Sequence, residues 1–401
     1  MRRNLHSDAH SPHFGFGVGG WGVRTLGWIV TAPTTDRPVR QEREKASDEI
    51  IEVAPDVLRL QLPIALPGLS HINTYAIVGR DSVAIVDPGL PGPASWKVLK
   101  KRLAAAGIPM SRIDKVVVTH SHPDHFGNAG KLAKEADAQL VTHKAFRLAW
   151  KPGHVCTLDE CDDDSHAHAD VGQQPLGETQ AFFNTTPPWG GAAYAPGIKK
   201  GLMYRMTKTA ATSPVFGRIF PLAEPSVRLR HDQSVRLGDR DWFAVHTPGH
   251  TPDHLCLVDP EGGAFLSGDH VLPTITPHIS GMFAGRDPLG DFFESLERVA
   301  LLEGVRHVLP AHGHPFTDLA GRCRDIIDHH RERLSRLAQG SAAEGWMTVD
   351  AYSHLLFRQE RWGSMASSET YAHLEHFALS DQAERRTNAE GLTEYKIREQ
   401  V

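Results

Sequence analysis

The sequence has few cysteines, no long apolar run and no excess of basic charge. Only four cysteines occur in 401 residues and none forms a C-x-x-C pair, which excludes a disulfide framework and fits a reducing compartment. No run of about 18 apolar residues is present, so we expect no transmembrane helix. The glycine-rich stretch 14–30 resembles a signal peptide only loosely, and the formal charge of −5 disfavours a nucleic-acid partner. We therefore expect a cytoplasmic protein that binds neither membranes nor nucleic acids.

The hydrophobic pattern divides the chain into a tail, a main domain and a C-terminal domain. Residues 1–49 end in a polar, charged stretch without a helical or strand period, which predicts a disordered N-terminal tail. Residues 50–325 contain the strand and helix patterns of the main domain. A stretch rich in Gly, Pro and Asp at 151–225 interrupts them, and we expect this insertion to lie over the core as a lid. Residues 326–401 predict two helices and a hairpin, a winged-helix-like pattern.

Short strands alternate with helices along the main domain. Residues 57–62 alternate apolar and polar side chains, which is typical of a half-buried strand. Ser95 can cap a helix that places Trp96, Leu99 and Leu103 on one face. Similar patterns predict strands at 71–78, 82–86, 115–119, 139–142, 234–237, 242–246, 254–258, 264–266 and 305–309, and helices at 128–136 and 288–302. The sequence therefore predicts an α/β fold.

One loop concentrates metal-binding side chains. It reads T-H-S-H-P-D-H from Thr119 and supplies His120, His122, Asp124 and His125 directly after a predicted buried strand. Neutral imidazole and carboxylate are ligands that Zn²⁺, Fe²⁺ and Mn²⁺ accept, and the end of a strand is a rigid platform for them. The loop therefore predicts a metal site.

Three further segments place a residue of the same kind just after a strand. They contain His250 in T-P-G-H, Asp269 in S-G-D-H and His312 in P-A-H-G-H, and Asp87 follows an earlier strand in V-D-P-G. The order H-x-H-x-D-H, G-H, G-D and H resembles the metallo-β-lactamase superfamily and covers roughly residues 55–315. Each motif alone is weak, but the match on all of them is highly specific.

The resemblance implies an αββα sandwich, in which two mixed β-sheets are flanked by helices, and a dinuclear metal centre. It implies one cation held by His120, His122 and His250, a second held by Asp124, His125 and His312, and Asp269 as the bridge between them. We expect both metal ions to be divalent cations. Zinc is the favoured metal, and iron and manganese are the alternatives. Two cations about 3.5–4 Å apart can share a hydroxide and polarise the oxygen that the hydroxide attacks. Asp124 is the predicted catalytic residue, because it is placed both to ligate and to relay a proton.

Other residues near the motifs have two interpretations each. Asp87 is expected to order the histidine loop through hydrogen bonds, and its alternative role is that of a turn former. His254, four residues after His250, could orient Asp269 or a ligand. His278 could hydrogen-bond substrate, but a role in packing or in supporting the site is favoured for it. Trp189 either presents an aromatic surface over the metals or anchors the insertion to the core. The insertion also contains cysteines and histidines that could take an accessory zinc, but their irregular spacing favours a solvated acidic loop. These residues are His154, Cys156, Cys161, His166 and His168.

The motifs predict a hydrolase that uses the metal-bridging hydroxide to cleave a small ester-like substrate, such as a thioester or a lactone. The sequence resembles the glyoxalase II and lactonase branch of the superfamily more closely than the β-lactamases, and this resemblance implies a homodimer. An endoribonuclease or phosphodiesterase is one alternative, because some relatives with a C-terminal winged helix cleave RNA. Residues 328–401 disfavour it, since they contain nine basic and twelve acidic side chains. A mononuclear iron persulfide dioxygenase, whose ligand motif is similar, is the other alternative.

Overall fold

The computed structural model describes residues 40–146, 187, 189–190, 224–281 and 287–398. Most of the predicted insertion, including its cysteine and histidine cluster, therefore lies outside the described residues, as do the first 39 residues. Among the helices of the described ranges, none is both long and apolar enough to cross a lipid bilayer.

The first sheet contains seven strands in sequential order. They are β1 (Ile50–Ala54), β2 (Val57–Leu66), β3 (Leu69–Val78), β4 (Val83–Val86), β5 (Ile113–Val117), β6 (Gln139–His143) and β7 (Val227–Leu229). Strands β1 to β4 pair antiparallel through short turns, and β4 to β7 pair parallel. Parallel neighbours require crossover connections. Helix α1 (Pro93–Ala105) connects β4 to β5, and α2 (Pro123–Phe126) and α3 (Ala129–Ala136) lie between β5 and β6.

The second sheet contains five strands in the order β12-β11-β10-β9-β8. They are β8 (Ser234–Leu237), β9 (Arg240–His246), β10 (Leu255–Asp259), β11 (Ala264–Gly268) and β12 (His307–Pro310). Strands β8 to β11 pair antiparallel, whereas β11 and β12 pair parallel. Helix α4 (Pro288–Ala300) lies between β11 and β12 in the chain, and α5 (Leu319–Gly340) follows β12.

The two sheets pack face to face with helices on their outer faces. The cluster between them joins Val57 and Tyr75 of the first sheet to Trp242 and Leu257 of the second. A second cluster buries α1 and α3 against the first sheet, and a third buries α4 and α5 against the second sheet. A sheet with one helix-covered face and one sheet-covered face needs apolar residues on both faces, which matches the nearly continuous burial of β4 and β11. The predicted αββα sandwich is confirmed.

The C-terminal region contains the two helices and the hairpin that the sequence predicts. They are α6 (Val349–Leu356), α7 (Ser364–Leu379), β14 (Ala383–Thr387) and β15 (Thr393–Ile397), and β13 (Met347–Thr348) completes a three-stranded sheet. Helix α5 runs without a break through the predicted domain boundary at residue 325, and the winged-helix assignment stays a prediction. Trp189 is buried in this region, 5.3 Å from the ring of Tyr371, which supports its role as an anchor of the insertion.

Residues 40–49 differ from the predicted tail. The side chain of Glu42 is fully buried, and its carboxylate accepts hydrogen bonds from the backbone N–H groups of Thr274 and Ile275 at 3.0 and 3.1 Å. The prediction of disorder is therefore wrong for this part of the segment. A contact made by one carboxylate with backbone groups more than 200 residues away leaves no hydrophobic period in the sequence, which is why the pattern did not reveal it.

Candidate metal centre

The predicted metal-binding residues all follow strand ends at one edge of the sandwich. Asp87 follows β4, the histidine loop follows β5, His250 follows β9, Asp269 follows β11 and His312 follows β12. Parallel neighbours such as β4 and β5, or β11 and β12, place their carboxyl ends at the same edge of a sheet. The packed sheets therefore bring together residues that are far apart in the chain.

A single helical turn presents two of these side chains. Helix α2 begins at Pro123, whose fixed φ suits the first helical position, and His122 before it has extended backbone. The turn buries Asp124 and His125 rather than exposing them. The reversal from strand to helix therefore explains how residues so close in sequence can face one site from different directions.

The first group of ligand atoms comes from three histidines and one aspartate. Nδ1 of His122 lies 3.0 Å from Nε2 of His120 and 3.1 Å from Nε2 of His250. One carboxylate oxygen of Asp269, Oδ2, lies 3.5 Å from Nε2 of His250 and 4.0 Å from Nε2 of His120. These four side chains could hold one metal ion.

The second group comes from Asp124, His125 and His312. Oδ2 of Asp124 lies 3.6 Å from Nε2 of His125 and 3.4 Å from Nε2 of His312. These three side chains could hold a further metal ion.

Asp269 lies between the two groups. Its Oδ1 is 3.4 Å from Nε2 of His312, and its Oδ2 is 3.6 Å from Nε2 of His125 in addition to the contacts with the first group. Both oxygens therefore face nitrogen atoms that a cation would use. Asp124, the other carboxylate of the two groups, makes such contacts only with His125 and His312 of the second group among the described residues.

The donor set fits divalent cations. Within the described part of the chain, three buried atoms of the site have no hydrogen-bond partner: Nε2 of His125, Nε2 of His312 and Oδ1 of Asp269. A buried polar atom without a partner is costly, and a metal ion would satisfy all three. Imidazole nitrogens and carboxylate oxygens without a thiolate suit zinc, iron or manganese.

Each of four candidate ligand histidines is fixed through its other ring nitrogen. Nδ1 of His120 contacts Oγ1 of Thr119 at 3.1 Å, and Nδ1 of His125 donates to Oδ2 of Asp87 at 2.8 Å. Nδ1 of His250 and of His312 each donate to a backbone carbonyl at 2.7 Å, that of His278 and of His71 respectively. Such partners fix the tautomer and orientation of the ring, so that Nε2 carries the lone pair that faces the site.

The structure places the three supporting candidates around this site. Asp87, at a φ of 51°, accepts hydrogen bonds from the backbone N–H and hydroxyl of Thr119 at 2.9 and 2.8 Å and also orients His125. It therefore acts both as a turn residue and as an organiser of the loop. Nε2 of His254 accepts a hydrogen bond from the backbone N–H of Asp269 at 3.1 Å. The backbone carbonyl of His278 accepts the hydrogen bond from Nδ1 of His250, so this contact does not involve the imidazole of His278.

Two residues that support the site, His71 and Asp253, have little or no sequence signal. His71 lies within β3, outside every motif, and its ring accepts from the N–H of Gly313 at 3.1 Å while its carbonyl holds His312. Asp253 is buried and accepts from the hydroxyl of Ser121 at 3.1 Å, which ties the loop of His250 to the histidine loop. A carboxylate three positions after His250 was the only available signal for Asp253, and His71 had none.

The electrostatics favour ionised carboxylates and neutral imidazoles in most of the site. Burial raises the pKa of Asp269, but His312 and His125 beside it lower that pKa well below its ordinary value. Burial, followed by the neighbouring His250, lowers the pKa of His122 to about 3. His125 and His312 are the exceptions, because nearby carboxylates overcome the burial of both rings and raise their pKa values, Asp124 foremost for His125 and Asp269 foremost for His312. Positive charge is thus favoured at the position where a cation would replace a proton.

Comparisons with known proteins agree with this geometry. A family model described as the metallo-beta-lactamase superfamily matches residues 67–314. The chain is 23% identical over 333 residues to the protein named "Probable metallo-hydrolase YqjP" of Bacillus subtilis, covering 80% of this chain and 91% of that protein. It is 34% identical over 297 residues to a lactamase-like protein of Penicillium aethiopicum, covering 73% and 68% of the two chains.

Solved structures show the same fold. A metallo-beta-lactamase family protein from Thermus thermophilus superposes with a TM-score of 0.61 at 24% identity, covering 86% of this chain and all of that one. A beta-lactamase domain protein from Burkholderia ambifaria gives a TM-score of 0.64 at 25% identity, covering 88% and 96% of the two chains. The similarity therefore extends over the two-sheet body that carries the strand-end ligands.

Proposed function

The chain belongs to the metallo-beta-lactamase superfamily and is a metal-dependent hydrolase, and from this premise we propose that it uses two cations to cleave a small ester-like substrate such as a thioester or a lactone. We assign one cation to His120, His122 and His250, the second to Asp124, His125 and His312, and the bridge to Asp269. Zinc is the expected metal, because tetrahedral nitrogen and oxygen sets suit it best.

The position of Asp269 is the observation that carries this proposal. Its two carboxylate oxygens face nitrogens of both ligand groups, at 3.4–3.6 Å from His312, His125 and His250. A mononuclear centre at the first group would leave buried nitrogens of His125 and His312 without a partner in the described structure. Two cations would give the candidate ligand atoms of both groups a partner.

Two bound divalent cations would lower the pKa of a water molecule and polarise the carbonyl oxygen of the substrate. The role of the chain itself is to orient that water and relay its proton. Burial raises the pKa of Asp124, but His125 and His312 lower it to about 2, so the carboxylate is ionised at neutral pH and can accept a hydrogen bond. Asp124 is therefore the residue that we assign to orient the attacking water and relay its proton.

Replacing Asp269 by asparagine tests the bridge. A neutral amide cannot supply two anionic oxygens, so Asp269→Asn is expected to lose more than one metal equivalent. We expect its kcat/KM with thioester or lactone substrates to fall about 100-fold or more, since even the outer partners of metal ligands are worth 10–100-fold. The measurements are elemental analysis per chain and initial rates on both substrate classes.

The matched control is Asp259→Asn. Asp259 is also a buried aspartate at the end of a strand, but it pairs with Arg240 at 2.8 Å and lies outside both ligand groups. This variant is expected to keep its metal content even where its stability falls. Unchanged metal content in Asp269→Asn would contradict the bridging assignment, and one equivalent of iron in the wild type would instead favour the dioxygenase.

A further inference from the structure

The carbonyl that holds His250 belongs to a segment outside the described helices and strands. His278 lies in residues 270–281, which form neither a strand nor a helix. The other backbone carbonyl with this role, that of His71, lies within β3, where ladder hydrogen bonds fix it. The position of the His278 carbonyl must therefore be fixed by groups that reach the segment from other elements.

The first half of the segment is held by the N-terminal residues and by α5. Glu42 accepts from the N–H groups of Thr274 and Ile275, as described above. Arg322 of α5 donates to the carbonyls of Leu272 and Ile275 at 2.7 and 2.8 Å. These contacts end three residues before His278.

The second half is held by α7 of the C-terminal region. The N–H of Gly281 donates to the carbonyl of Ser368 at 3.3 Å, and the hydroxyl of Ser280 contacts that of Ser368 at 3.4 Å. A Cβ atom at Gly281 would lie 2.5 Å from the ring of Tyr371 and 2.8 Å from the backbone nitrogen of Ala372. Only glycine allows the segment to approach the helix this closely.

The next residue of α7, Glu369, faces the imidazole of His278. Its Oε2 lies 3.5 Å from Nδ1 of His278, and the two side chains are only 13% and 19% exposed. Its other oxygen pairs with Arg333 of α5. Burial raises the pKa of Glu369, but Arg333 and then His278 lower it well below its ordinary value, so this fixed carboxylate is ionised.

We propose that Glu369 is a positioning residue for the metal centre: by holding His278 it fixes the carbonyl that orients His250, and α7 thereby sets the metal affinity of the first ligand group. This inference rests on the proposed function, because it takes His120, His122 and His250 as the ligands of one cation. The C-terminal region then contributes to the metal centre, because Glu369, His278 and His250 connect α7 to the first ligand group.

Replacing Glu369 by glutamine tests the inference through metal binding rather than activity. Zinc is titrated into the chelator-treated protein in competition with a chromophoric chelator, which resolves the two equivalents. One equivalent is expected to bind about tenfold more weakly, the magnitude typical for partners outside the ligand shell, while the other keeps its wild-type affinity. Glu369→Asp keeps the charge that Arg333 requires, so it should show a smaller loss at the same equivalent.

The matched control is Glu375→Gln on the same helix. Glu375 is a buried glutamate that pairs with Arg385 at 2.7 Å, but it faces the C-terminal hairpin instead of His278. It should bind both zinc equivalents as the wild type does. In a His278→Ala background, Glu369→Gln should cause no further loss, because Glu369 acts through that imidazole.

Wild-type zinc affinities in both Glu369 variants would overturn the inference, as would an equal loss in Glu375→Gln, which would indicate a general effect of destabilising α7. Fewer than two equivalents bound by the wild-type protein would instead contradict the proposed function, whatever Glu369 does. The two failures are therefore distinguishable in one set of titrations.

Discussion

Asp269 and its neighbours show how much of the site depends on single residues. One carboxylate faces both ligand groups, and the ring of His254 holds its backbone N–H at 3.1 Å. The backbone conformation next to His250 also determines the geometry of the site. Gly249 precedes His250 at a φ of 130°, a region that side chains rarely adopt, and a Cβ there would lie 2.6 Å from the Cα of Phe292. The helix α4 that carries Phe292 thus packs directly against the turn that presents His250.

Replacing Gly249 by alanine is expected to displace that turn. Strain at positive φ costs about 1–2 kcal/mol, and crowding against Phe292 adds about 1–3 kcal/mol. The free energy of unfolding should fall by the sum, and the affinity for one zinc equivalent should fall with it. Denaturant unfolding and zinc titration measure the two effects.

Gly107→Ala is the control for strain alone. Gly107 also has a positive φ, of 68°, but its Cβ would meet no atom within 4 Å among the described residues, and it follows α1 away from the site. The free energy of unfolding of Gly107→Ala should fall only by the cost of the strain, and its zinc affinity should equal that of the wild type. Equal losses of stability in both variants would contradict the close packing of α4 on the turn.

At the scale of elements, buried histidines join the helices of the C-terminal region. Nδ1 of His330 on α5 lies 3.1 Å from Nε2 of His373 on α7, and both rings are fully buried. Burial lowers the pKa of His373 to about 4 and lowers that of His330 as well. The folded state therefore binds these protons more weakly than the unfolded state, whose histidines titrate near pH 6.5.

This packing predicts a loss of stability in acid. Above about pH 6.5 both states are neutral at His373 and no penalty exists; as the pH falls toward 4, the unfolded state gains a proton that the folded state refuses. The pKa of His373, about 4 in the folded state against an ordinary value of 6.5, corresponds to a destabilisation of at most about 3.5 kcal/mol, since one pKa unit is about 1.4 kcal/mol. The variant His373→Gln, which cannot titrate, should show a shallower dependence of unfolding free energy on pH between 4 and 6.5.

His376→Gln provides the comparison on the same helix. His376 is 22% exposed and pairs with Asp287 at 2.7 Å, so its replacement leaves the buried pair intact. It should keep the contribution of His373 to the acid sensitivity. A pH dependence in His373→Gln as steep as that of the wild type would show that this histidine does not carry the effect.

At the scale of the whole molecule, the sequence and its family resemblance indicate the sandwich and the candidate ligands, but not the groups that support these residues. The alternation in residues 57–62 and the apolar runs before His120 and Asp269 locate strands, and ligands at strand ends recur in one order. These signals are local, so a sequence displays them. The contacts of Glu42 with Thr274 and of Glu369 with His278 join elements 232 and 91 positions apart, and no local pattern encodes them.

The difference between local patterns and long-range contacts also explains why the sequence does not predict how the C-terminal region packs. The sequence predicts helices α6 and α7, but a helical pattern does not reveal which element a polar side chain will face. The close approach of α7 to residues 280 and 281 requires Gly281, and only the assembled structure relates that glycine to Tyr371.

Metal content tests the central claim, a dinuclear centre bridged by Asp269, most directly. The measurement is elemental analysis of the purified protein for zinc, iron and manganese per chain, before any substrate is tried. We expect about two equivalents, mostly zinc, as a two-metal hydrolase requires. A single equivalent of iron that no added zinc can raise to two would contradict it, because His125, His312 and the second oxygen of Asp269 would then have no cation to bind.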